Sequence, residues 1–407
     1  MLAAFRSLEH RNFRLYFAGQ SVSLIGTWMQ RLAVSWLVYS ATHSSLLLGV
    51  VLFAGQIPML VLAPYGGTVA DRYSRYRILL LTQVAALVQA SVLAGLVLSG
   101  YYNTWAVAGL SLLLGTINAF DIPARQSLLV ELVDDPSHLS NAIALNSTMV
   151  NLARLLGPAV AGALLTLLGA GPCFAVNALS FGAVIGSLLL MRLVPRPARP
   201  NRPGAWEGLR EGWAYLRQAP ALRRQILLMA GLSFCALPYG TLLPVFAKDV
   251  FHGAAGTFGL LNSVAGAGAL VGALYLASRP AGGSQRRLIG WAGLGFCASL
   301  LGLALSPRLG VGLVFLGLGG VGMMLFIAGT NTFVQTHVPD HLRGRVLSYY
   351  VMAFQGMQPL GSLLVGWLAR HLGAPPTVLL QGAAGLLVLV ALGRGPRRVR
   401  AAVAEPA

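Results

Sequence analysis

Two arginines stand where arginine is costly. Arg31 falls inside an apolar run at about residues 13–40, and Arg154 inside another at about 142–168. An ionisable side chain in such a run marks function by default. A guanidinium stays charged and offers five donors in a fixed fork, so two of them suit an anionic or acceptor-rich ligand. The plainer reading is that each caps backbone carbonyls or snorkels to an interface. Amides recur in the same runs: Gln30, Gln56 and Asn151 in the first half of the chain, Asn331, Gln355 and Gln358 in the second. An amide both donates and accepts, and singly each is equally a packing residue. Trp28, Trp36, Phe326 and Phe354 could supply apolar walls. No Asp or Glu falls well inside a run, which leaves Asp71 and Asp121, at run edges, as the carboxylates nearest to carrying a proton. No nucleophile–base pair, metal-ligand cluster or phosphate loop stands out, so no enzyme, metal or cofactor is expected. Cys173, Cys235 and Cys297 are scattered and suggest neither a disulfide framework nor a metal site.

These residues need a scaffold, and composition says which solvent it meets. The chain has 407 residues, 56% hydrophobic and 10% charged, where a soluble domain carries about 25% charged residues. Twelve apolar runs can be read, at about 13–40, 46–66, 78–99, 104–120, 142–168, 171–192, 224–247, 256–277, 287–306, 310–332, 346–369 and 375–393, most of them near the ~20 residues that span a bilayer as a helix. Helix is expected because each span must satisfy its own backbone polar groups in lipid.

The net charge of +18 could suggest a nucleic-acid partner, but its distribution argues against one. Lys248 is the sole lysine, and the arginines gather in alternate connections: Arg72, Arg75 and Arg77, then about 192–224, then Arg279 to Arg287, Arg343 and Arg345, and about 394–400. That asymmetry predicts a multi-pass protein of the inner (plasma) membrane with both termini in the cytoplasm.

The connection 193–223 divides the chain. Its start, Val194 to Pro200, is rich in Pro and Arg and reads as extended. Trp206, Leu209, Trp213 and Leu216 then follow at helical spacing beside Arg210 and Arg217, which predicts an amphipathic helix at the interface. The expected organisation is an N-terminal bundle over 1–192, a linker over 193–223, a C-terminal bundle over 224–393 and a tail over 394–407. The halves repeat weakly. Asn118, Gln126, Val133, Leu139 and Gly157-Pro158 are answered by Asn331, Gln335, Val338, Leu342 and Pro359-Leu360-Gly361.

Three segments point to a family. Gly67-Thr68-Val69-Ala70-Asp71-Arg72-Tyr73-Ser74-Arg75-Tyr76-Arg77 resembles the loop between helices two and three of the major facilitator superfamily, with Ser74 in place of a Gly and Tyr76 in place of a basic residue. Ala153 to Gly162, containing Gly157, Pro158 and Gly162, is similar to the fifth-helix motif of that superfamily's exporters. Phe5 to Phe13, Asn118 to Gln126 and Leu342 to Val346 resemble the branch of enterobactin exporters and macrolide efflux pumps, also called transmembrane secretion effectors.

The resemblance implies an all-α membrane protein of twelve transmembrane helices in two pseudo-symmetric six-helix bundles. It implies secondary active export of a small organic molecule by alternating access; Arg31 and Arg154 add the expectation of a siderophore-like or other anionic, acceptor-rich substrate. It puts Arg31 and Arg154 on helices that face the central cavity. It gives the gate motif to Gly67, Asp71, Arg72, Arg75 and Arg77, with Asp71 steadying the closed cytoplasmic gate near Arg343-Gly344-Arg345. The second-half counterpart, Ser278 to Arg287, keeps its basic end but has no Asp. The family's fourth-helix motif is not recognisable. The implied partners are the small molecule, protons and the lipid bilayer, and the implied state is a monomer. A macrolide or multidrug proton antiporter is the alternative, and a non-transporting membrane interaction protein on the same fold is the second.

Overall fold

The computed structural model describes residues 3–133, 135–192, 205–279 and 285–393. Among them all regular structure is helical. The Pro-rich start of the linker, the C-terminal tail and the middle of the 278–287 connection lie outside the described residues.

The first half comprises α1 (Arg11–Thr42), α2 (Ser45–Arg72), α3 (Arg75–Leu98), α4 (Thr104–Leu129), α5 (Leu139–Leu167) and α6 (Ala170–Leu189). Short connections are made by residues suited to them. Ser44 and Ser74 cap α2 and α3 by accepting from Leu47 N–H and Arg77 N–H, and Asn103 caps α4. Gly100 and Gly169 turn the chain with φ of 75° and 83°, where a side chain would be strained. The linker helix α7 spans Ala205–Gln218.

The second half begins with α8 (Pro220–Cys235), which continues through a 3₁₀ segment Leu237–Leu242, the single turn α9 (Leu243–Val245) and a π turn Phe246–Val250. It goes on with α10 (Ala255–Ala277), α11 (Gln285–Ala304), α12 (Leu309–His337), α13 (Asp340–Val351), a π turn Met352–Gly356, α14 (Met357–Leu372) and α15 (Ala374–Gly393).

Ten of these stretches are long and apolar enough to cross a membrane, counting Pro220–Val250 as one. Two more complete the twelve. α1 is long enough but diluted by Arg11, Arg14, Gln20, Gln30 and Arg31, and α13–α14 is one rod interrupted by its π turn. Two boundaries differ from the hydropathy reading. α4 runs on to Leu129, so Asp121 lies inside it rather than at its edge. α2 runs through Asp71 and Arg72, so the Gly67–Arg77 stretch is a helix end, a link of Tyr73 and Ser74, and a helix start.

Within the first half α1 packs on α5 and α6, α2 on α4, and α3 on α4 and α6. In the second, α12 packs on α10 and α11, and α11 on α15. The halves meet along two seams, α2 against α14 and α5 against α10. Both seams are tightest at the end away from the α2–α3 link. There a Cβ on Gly162 would lie 2.9 Å from the Gly259 Cα, and one on Gly366 would lie 3.0 Å from the Gly49 Cα. Only glycine allows such backbone approach.

Candidate functional site

One face of α1 carries Trp28, Arg31, Ser35 and Tyr39 at helical spacing. That face fronts the second half: Tyr39 donates to Asp249 in the π turn after α9, and Trp36, on its flank, stacks on Phe258 of α10. On α5, Arg154, Pro158 and Gly162 follow one another at successive turns, and Pro158 and Gly162 abut Gly259 of α10. Arg31 and Arg154 therefore both border the seam between the halves.

Trp28 joins them. The Arg31 Cζ lies 5.0 Å and the Arg154 Cζ 5.1 Å from the Trp28 ring centroid, inside the ~6 Å range of a cation–π contact. Gly157 makes this possible. A Cβ there would fall 2.5 Å from Trp28 Cβ, so the missing side chain is the seat into which Trp28 sinks. No ion pair with a carboxylate is formed by either arginine among the described residues. Arg31 is exposed and Arg154 half-buried. The ring satisfies part of each guanidinium and leaves the N–H forks for something else.

Asp121 has an unexpected setting. It is 4% exposed and accepts from Thr82 Oγ1 at 2.9 Å and Gln83 Nε2 at 2.7 Å, both on α3. Arg125, one turn further along α4, lies 3.5 Å from its other oxygen and donates to Gln20 on α1 at 3.3 Å. Gln20 Nε2 and Gln83 Oε1 have no partner among the described residues. With these partners Asp121 and Arg125 tie α1, α3 and α4 together. Thr82, Gln83, Arg125 and Gln20 carry no hydropathy signal that would have joined them.

The amides divide. Gln30 is buried and spent inside the first half, donating to Gln89 at 3.1 Å and accepting from Asn177 at 2.7 Å. Its amide is thus committed to packing α1 on α3 and α6 and is not offered to a ligand. Gln56 and Asn151 donate to carbonyls one turn back, at Leu52 and Ser147, and Asn331 accepts from Gln335. Gln355 is exposed in the π turn before α14, and Gln358 is half-buried in the helix itself.

In the gate motif, Arg75 pairs with Glu131 within the first half, and Arg72 and Arg77 are exposed. The side chain of Asp71 lies outside the described residues. A Cβ on Gly67 would meet nothing within 4 Å. In the second half Arg343 donates to the Gln335 carbonyl at 3.1 Å, and Arg345 pairs with Glu211 of α7. The same helix is held by Tyr349 Oη donating to the Leu209 carbonyl at 2.9 Å and by packing of Trp213 on Tyr349. Periodicity alone had left α7 without a partner.

Twelve spans in two halves joined along four helices are the architecture of a secondary transporter. The chain belongs to the major facilitator family described as transmembrane secretion effector, which matches residues 2–404. It is 26% identical over 378 residues to the staphyloferrin A transporter of Staphylococcus aureus, covering 91% of this chain and 92% of that one. It is 24% identical over 397 residues to macrolide efflux protein A of Streptococcus pyogenes, covering 94% and 96%. Among solved structures, the nucleoside transporter NupG superposes with a TM-score of 0.72 at 15% identity, over 95% of this chain and 98% of that one. The protein is a multi-pass membrane transporter of the efflux type.

Proposed function

We propose that the chain exports an anionic, acceptor-rich small molecule, of the carboxylate siderophore kind, by alternating access across the plasma membrane. The observation that carries this is the Arg31–Trp28–Arg154 stack at the seam, two guanidiniums with no carboxylate partner among the described residues. The relative that transports staphyloferrin A supports the same substrate class. The likeness to a macrolide efflux protein supports the alternative of a macrolide or multidrug antiporter. A cationic drug would meet two like charges at the stack, which favours the anion.

The halves 1–192 and 224–393 rock about the seam as two bodies, joined by 193–223. Both termini face the cytoplasm, as the arginine-rich connections indicate, and the protein works as a monomer in the bilayer. Asp121 is the proton-coupling residue, with Arg125 as the partner that gives way when the halves move. Asp71 steadies the cytoplasmic gate. Exit of an anion from a negative-inside cell also gains about 2.3 kcal/mol per charge per 100 mV.

Efflux of a carboxylate siderophore and of a macrolide from everted vesicles tests the reading. Arg154→Ala should abolish export of the anion. Export of the macrolide alone, unaffected by Arg154→Ala, would refute the anion site. Transport of neither by well-inserted protein would favour a non-transporting role.

A further inference from the structure

At the end away from the α2–α3 link, four side chains cross from one half to the other. Tyr39 on α1 donates to Asp249, and Lys248 Nζ lies 3.2 Å from His43 Nε2 and donates to the Ser40 carbonyl at 3.3 Å. Lys248 and Asp249 sit in the π turn that closes the seventh span, and His43 ends α1 in the left-handed region, φ 50°. Among the described residues no other hydrogen bond joins the α1 end of one half to the seventh-span end of the other. We propose that this set is the latch that closes the far end of the transport path, and that protonation of His43 releases it.

The chemistry is asymmetric. A Lys ammonium has only donors, so its contact with His43 requires a neutral imidazole accepting at Nε2. A protonated imidazole offers no acceptor and places a second positive charge beside the ammonium. The contact is therefore made with the neutral imidazole and lost when acid protonates it. Water reaches the group, because His43 lines a cavity of about 730 Å³ at this end with Tyr39, Asp249 and Arg370. Those residues and Lys248 are the charged and titratable groups that face His43: Tyr39 from α1 itself, Lys248 and Asp249 from the seventh span, and Arg370 from α14. Asp249 is engaged by Tyr39, and Arg370 adds positive charge, so neither reverses the sign. The face concerned is the outer one in the orientation proposed above, which makes release respond to acid outside; the latch itself does not depend on that orientation.

The test uses the full chain in lipid nanodiscs, where both faces share one buffer, so a wrong orientation does not obscure the result. Spin labels at Tyr101→Cys and Leu305→Cys, exposed positions on the two halves at this end, report the separation in a background lacking Cys173, Cys235 and Cys297. From about pH 8 to about pH 5.5 the ratio of wide to narrow distances should rise at least about tenfold, which is ~1.4 kcal/mol and the lower bound for one hydrogen bond to a charged group. His43→Gln keeps an acceptor that does not titrate and should stay narrow at both pH values. Lys248→Met should be wide at both. Should Gln not tolerate the left-handed backbone, His43→Asn, which does, must also lose the pH response. A His43→Gln or His43→Asn protein that follows the wild-type pH curve, or a Lys248→Met protein that stays narrow, would overturn the latch.

Discussion

Gly157→Ala adds one methyl group at the point where the candidate site is assembled. The new Cβ would lie 2.5 Å from Trp28 Cβ, 3.2 Å from the Ile25 carbonyl oxygen and 3.3 Å from Met29 N. Carbon atoms pack at about 3.5–4.0 Å, so α1 and α5 must part by roughly 1 Å, and overpacking of this kind costs about 1–3 kcal/mol. Because two of the three atoms are backbone, no rotamer change in Trp28 relieves the clash. The ring moves off the guanidiniums, now 5.0 and 5.1 Å away, towards the ~6 Å limit at which the attraction is lost. At about 0.5–1 kcal/mol for each of two contacts, anion affinity should fall about fivefold to thirtyfold. Binding of the carboxylate siderophore to detergent-purified protein measures this, with thermal unfolding alongside. Gly182→Ala on α6, where an added Cβ would meet nothing within 4 Å, serves as the control and should bind as wild type. A Gly157→Ala protein that binds within twofold of wild type would show that Trp28 does not organise the arginines.

Three further outcomes are expected. Asp121→Asn leaves the half-buried Arg125 guanidinium without its counter-charge and should lower stability by about 3–5 kcal/mol, read as a fall in the unfolding temperature together with loss of proton-dependent efflux. Gln30→Leu should cost about 1–3 kcal/mol by orphaning Gln89 and Asn177 while leaving the substrate profile unchanged in efflux assays; a changed profile would return Gln30 to the ligand site. Glu211→Gln removes a partly exposed ion pair worth about 0.2–1 kcal/mol, so hydrogen exchange over residues 205–218 should quicken only severalfold.

The twelve spans were legible because lipid imposes long uninterrupted apolar helices, and hydropathy records that directly. Where polar residues are buried between helices, the record fails. Asp121 ends an apolar run, so hydropathy stops at residue 120, whereas Thr82, Gln83 and Arg125 satisfy the carboxylate and let the helix continue to Leu129. The same limit applies to Gln30, whose burial depends on Gln89 and Asn177 in two other helices. Arg31 and Arg154 were visible as anomalies of position. Their common ring was not, because the contact needs Gly157 and Trp28 to face each other across α5 and α1. Lys248 was visible as the sole lysine, but nothing in one dimension sets it beside His43.

The two-residue link between α2 and α3 has a mechanical consequence. With α2 helical through Arg72 and α3 starting at Arg75, the connection holds no slack. Tilting α2 against α14 must drag the head of α3 with it, and about two turns further on α3 grips Asp121 through Thr82 and Gln83. The segment is thus a crank: it converts displacement at the seam into torque on a buried acid that the moving surface never touches.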